Sequence, residues 1–135
     1  MTKSDNPWED LVVAILSVNQ YSLEKTYLAI DGIRRENITD PDQLASWETA
    51  EIEERLRAAG CDRGTFMTKL FAQRLGALAS FVHTTGIERC QRVLAGNDMK
   101  AIEELLLPIK GIGPVVLSKF FLLRDLQSDW HRSRI

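Results

Sequence analysis

Apolar residues recur every three or four positions along most of this chain, the spacing that lines one face of an α-helix. Trp8, Leu11, Val12, Ile15 and Leu16 make the first such stripe. It lies behind Asn6 as a cap and Pro7 at the first helical position, where a missing amide costs nothing. Ser22 is expected to cap a second helix, with Leu23, Tyr27, Ile30 and Ile33 facing inward. Thr39-Asp40-Pro41 opens a third around Leu44 and Trp47. Residues 49–59 form a fourth, with Ile52 and Leu56 on one side and Glu51, Glu53, Glu54, Arg55 and Arg57 on the other. Gly60 suits its C-terminal stop. Residues 65–82 place Phe66, Leu70, Phe71, Leu75, Leu78, Phe81 and Val82 on a broad apolar face. After Gly86 comes a helix over 87–94, ended by Ala95-Gly96-Asn97. Asn97 and Asp98 then open a capped helix over 99–107, and Pro114 starts another that runs to 124.

No stretch alternates with a period of two between turn signals, so strands are not expected, and the polar connections are short. The expectation is an all-α fold: a single domain over 1–135 of about eight helices, with a helix-hairpin-helix at 98–124. With 44% hydrophobic residues in 135, the chain has enough apolar material for one core. No apolar run approaches the roughly 20 residues of a membrane helix, and the polar opening Met-Thr-Lys-Ser-Asp-Asn lacks the apolar region of a signal peptide. Cys61 and Cys90 match no metal or redox spacing. A cytoplasmic protein with no membrane partner and no cofactor is expected.

Net charge is −2, mildly against a nucleic-acid binder, but it is unevenly spread. Residues 1–106 carry −5, whereas 107–135 carry +3, from Lys110, Lys119, Arg124, Arg132 and Arg134 against Asp125 and Asp129. The positive end begins where the run Leu107-Pro108-Ile109-Lys110-Gly111-Ile112-Gly113-Pro114 begins. Gly111 and Gly113 let the backbone turn tightly and approach another molecule. Open amides at the start of the following helix make a natural cradle for phosphate. The competing account is an ordinary αα-hairpin whose glycines only let two helices pack. Lys69 and Arg74 are either phosphate contacts or solvated residues of the long helix. Glu103 and Glu104, being adjacent on a helix, do not face each other and read as an exposed face. His83 and His131 are too isolated for a metal site.

Taken in order, three stretches resemble the helix-hairpin-helix glycosylase superfamily of base-excision repair, of which endonuclease III is a member. Pro7-Trp8-Glu9-Asp10-Leu11-Val12-Val13-Ala14-Ile15-Leu16-Ser17 is similar to its opening core helix, which ends in Leu-Ser before a polar amide. Residues 60–78, with Lys69 and Arg74, resemble its Gly-x-x-x…Lys-Ala segment and long helix. Ile109-Lys110-Gly111-Ile112-Gly113-Pro114 resembles its Leu-Pro-Gly-Val-Gly hairpin. Together these cover roughly residues 7–124.

The resemblance implies a partner, double-stranded DNA, gripped through Lys110, Gly111, Ile112, Gly113 and Lys119. It also implies a gap-filling amide after Leu-Ser, for which Gln20 is favoured over Asn19. The family's lysine nucleophile falls on Val115, so Schiff-base lyase chemistry of that type is not expected, and Lys119 lies a full turn further on. Asp129-Trp130-His131 resembles the family's Asp-x-His segment, which makes Asp129 the candidate catalytic carboxylate. The family's second domain, which walls the other side of the cleft, and the four-cysteine iron–sulfur motif of endonuclease III are not matched. The leading expectation is therefore a DNA-repair glycosylase-like protein, monofunctional if active. Its rival is a non-catalytic DNA-binding or partner-binding module of the same fold. In a third reading, a homodimer or second subunit completes the cleft.

Overall fold

The computed structural model describes residues 6–17 and 23–124. Among them are nine α-helices and no strand: α1 (Pro7–Leu16), α2 (Leu23–Tyr27), α3 (Ile30–Arg35), α4 (Pro41–Ser46), α5 (Thr49–Ala58), α6 (Thr65–Thr85), α7 (Ile87–Ala95), α8 (Met99–Leu106) and α9 (Pro114–Leu123). The all-α expectation is borne out. The count exceeds the expected eight because the second helix is divided at Leu28 and Ala29. Gly32 of α3 lies so close to the end of α5 that a Cβ there would fall 2.2 Å from the Ala59 carbonyl oxygen.

Helix α1 is the centre of the molecule, and all ten of its residues are buried. The sequence predicts only a stripe; a helix buried on every side needs no polar face. Its first turn nevertheless holds two carboxylates, a favourable place for negative charge on the helix dipole. Both are met by arginines. Arg34 donates two hydrogen bonds to Glu9, at 2.8 and 2.7 Å, and Arg124 donates one to Asp10 at 2.9 Å. Helix α1 packs on α9 and also on α2, α6 and α7.

The 21-residue α6 forms the second axis, with α4 and α5 packed against it. Its buried stripe runs through Thr68, Phe71, Ala72, Leu75, Ala79 and Val82. Phe66, expected on this face, is instead 76% exposed. It precedes Thr68 by two residues, about 200° around the helix, and so points away from the stripe. Asn6 caps α1 as expected, and Asp40 and Asp98 likewise each accept a backbone N–H from the first turn of the helix they precede; Ser22 lies outside the described residues. Trp47 is half-buried beneath Arg55, whose guanidinium carbon sits 3.9 Å from the ring centroid.

Candidate functional site

The glycine hairpin joins α8 to α9. Helix α8 buries Ile102 and Leu106, and the chain then turns through a short series of backbone bonds. Ile109 N–H donates to Leu106 C=O at 3.0 Å, and Ile112 N–H donates to Ile109 C=O at 3.1 Å. Ile109 and Ile112 insert into the core, while Lys110 between them is exposed. These two isoleucines pin the bend to the protein and leave its glycine edge at the surface. Gly111 adopts φ +94°, a conformation that side chains disfavour. Gly113, at φ −120°, is extended, and a Cβ there would meet nothing within 4 Å.

Among the described residues, neither the Gly111 nor the Gly113 N–H finds an acceptor. Helix α9 starts with Pro114 and has no side-chain cap, so the amides of its first turn are also open. The bend thus presents backbone donors beside an exposed ammonium, an arrangement suited to an anion. Ile112, expected in the binding set, has its side chain in the core and its N–H bonded to Ile109 C=O, so it anchors the turn.

One further cation lies against the bend, and others sit on the neighbouring elements. The Arg74 side chain of α6 lies across Gly111: a Cβ on the glycine would fall 2.6 Å from Arg74 Cγ. Arg63, in the turn before α6, donates to the Leu16 carbonyl at the end of α1 (3.3 Å) and stands over the Phe71 ring at 5.2 Å. The turn that holds it is fixed by its own N–H donating to Thr68 Oγ1 at 3.0 Å. Lys119 of α9 is half-buried, and its ammonium is held below the usual lysine range by burial and by the charge of Arg63. Lys69 is exposed on the second turn of α6.

Arg63 was not singled out in the sequence, although a signal for it exists. Residues 63–87 and 105–124 contain no Asp or Glu, and these two stretches supply α6, the hairpin and α9. The acidic residues are carried by other elements, among them α5, with Glu51, Glu53 and Glu54. The charge division noted along the chain is therefore a division between helices.

At the end of α1, Ser17 Oγ donates to Val13 C=O at 2.6 Å and shares a 2.7 Å hydrogen bond with Thr26 Oγ1 of α2. This ties the helix to its successor across the segment that contains Gln20. Gln20 and Asp129 both lie outside the described residues. Val115 is 60% exposed on the first turn of α9, an aliphatic group where the resemblance places a lysine. Among the described residues, no three His, Cys, Asp or Glu side chains converge where a metal ion could be held. No described helix is long and apolar enough to cross a membrane. Comparison with protein-family models, curated proteins and solved structures finds no match to this chain.

Proposed function

We propose that this chain binds double-stranded DNA through its 109–113 hairpin, as a DNA-repair protein of the glycosylase type. The observation that carries this reading is the outward glycine edge, where Gly111 and Gly113 offer unclaimed amides next to Lys110. A duplex offers regularly spaced phosphates to such a surface, and backbone contacts position a protein without reading sequence. Arg74 of α6 adds a cation against Gly111, and Lys119 of α9 feels the charge of Arg63. In this reading Asp129 supplies the carboxylate that stabilises the cationic sugar as the base departs, and Gln20 fills the gap left by an extruded nucleotide. A DNA-binding chain with the free cysteines Cys61 and Cys90 belongs in a reducing compartment, the cytoplasm.

A second reading keeps the DNA contact and drops the chemistry. It is favoured by Val115, which has no amine to form a Schiff base. A third, in which a second copy or another subunit walls the cleft, is decided by solution mass with and without DNA.

The deciding experiment measures affinity for a labelled duplex over a salt series, then base release from a panel of lesion-bearing duplexes. Steeply salt-dependent binding that Gly113→Val weakens supports the hairpin reading; unchanged affinity in that variant removes it. Base release lost in Asp129→Asn supports the glycosylase. Inactivity on every lesion, with binding intact, supports the module.

A further inference from the structure

We propose that Arg74 is a second phosphate-binding group, which grips the same DNA strand as the hairpin from the side of α6. The proposal rests on the hairpin reading and extends it to a different element. Its foundation is the apposition of Arg74 and Gly111. A Cβ on Gly111 would lie 2.6 Å from Arg74 Cγ, 2.9 Å from Cδ and 3.2 Å from Nε. The arginine stem therefore runs flush over the bare glycine, and its guanidinium emerges beside the open amides.

The state of that guanidinium distinguishes it from comparable groups. Four arginines of the described chain are buried or half-buried: Arg55, Arg63, Arg74 and Arg124. Arg55 bonds Glu51, Arg63 bonds the Leu16 carbonyl and Arg124 bonds Asp10. Among the described residues, Arg74 has no such acceptor. The nearest acidic positions along its sequence are Asp62 and Glu88, so α6 brings no carboxylate of its own. None of the Arg74 nitrogens is among the buried unpartnered polar atoms, so the fork stands open to solvent above its covered stem. A phosphate would meet it in the bidentate geometry that the arginine fork fits. Gly111 contributes by being small: any side chain there would displace the arginine stem.

The test is duplex affinity by fluorescence anisotropy over a salt series, for the parent chain, Arg74→Met, Arg74→Lys, Lys110→Gln and Gly113→Val, with thermal midpoints measured alongside. Arg74→Met keeps an apolar stem over Gly111 and removes the charge. The expected result is a salt slope shallower by about 0.9 and affinity roughly tenfold weaker at low salt. Arg74→Lys should keep the slope and recover part of the affinity. If Arg74→Met binds with the parent's slope while Lys110→Gln and Gly113→Val weaken binding, the hairpin reading stands and the Arg74 proposal is overturned. If Lys110→Gln and Gly113→Val also bind as the parent does, or the parent does not bind DNA, both are overturned.

Discussion

Arg124 and Asp10 are 114 positions apart in sequence and 2.9 Å apart in space, joined by a hydrogen-bonded ion pair at the junction of α9 with α1. Their side chains are 7% and 1% exposed, so each charge depends on its partner rather than on water. Breaking such a pair from one side strands a buried charge, at a cost of about 3–5 kcal/mol. Replacing both members with apolar groups avoids that penalty. Arg124→Met and Asp10→Leu should each lower the denaturation midpoint steeply, and the double variant should be more stable than either single one. Denaturant titration of the three variants checks this; additive losses would show that the pair is not coupled.

The two hairpin glycines should separate stability from binding. Gly111→Ala meets both a left-handed backbone and the Arg74 stem, and is expected to cost about 1–2 kcal/mol. Gly113→Ala has open space and an extended backbone, so its stability should stay within about 0.5 kcal/mol of the parent. On the DNA reading, its methyl group still stands where a phosphate would approach. Thermal midpoints and duplex affinity, measured on both variants, report the two effects independently.

Lys119 is expected to trade stability for binding. Burial, and then Arg63, disfavour its charged form in the folded protein, so the unfolded chain holds that proton more readily. Stability contributed at this position therefore rises with pH up to the ordinary lysine value near 10.5. Lys119→Met should raise the thermal midpoint at neutral pH, by an amount that shrinks as pH climbs toward that value. The same variant should bind duplex DNA more weakly. A lower midpoint at neutral pH would contradict the sign.

Cys61 gives a second pH signature. Its thiol is half-buried, and desolvation pushes its pKa from 9.0 to about 11. At pH 8 the thiolate fraction, and with it the alkylation rate, should be about a hundredfold below that of an ordinary thiol. Above pH 9 the unfolded chain loses this proton while the native protein keeps it, so stability falls as pH rises toward 11. Alkylation by iodoacetamide across pH, with Cys61→Ser as the control, measures the first effect. Denaturation midpoints of the same pair measure the second.

Helix positions were readable because capping chemistry is local. Asn6, Asp40 and Asp98, each at a helix start legible in the sequence, accept amides within three residues of themselves. The break at Leu28 and Ala29 was not readable, because no glycine or proline marks it, and the close approach of Gly32 to Ala59 involves another helix. Phe66 was misplaced for a related reason. Its apolarity suggested the core, but the stripe of α6 is set by what Phe71 and Leu75 pack against, and their register leaves Phe66 outside. At the hairpin, sequence revealed that Gly111 and Gly113 could bend the chain, but not that Ile112 points inward. Which of two flanking residues faces the core depends on how α8 meets α9. Arg74 over Gly111 is a contact between distant segments: the sequence offered Arg74 as a phosphate contact or a solvated residue, but not this neighbour.

The buried centre of the molecule also constrains how it is made. Helix α1 is synthesised before the other described helices, yet its packing face for α9 and the partner of Asp10 are the last described parts to leave the ribosome. Until then a helix that ends up buried on every side has no permanent neighbour there, and Asp10 lacks the Arg124 counter-ion. Acquisition of the native structure is therefore expected only after translation has passed Arg124, in one concerted step. A nascent chain arrested before α9 should remain accessible to proteases and to holding chaperones.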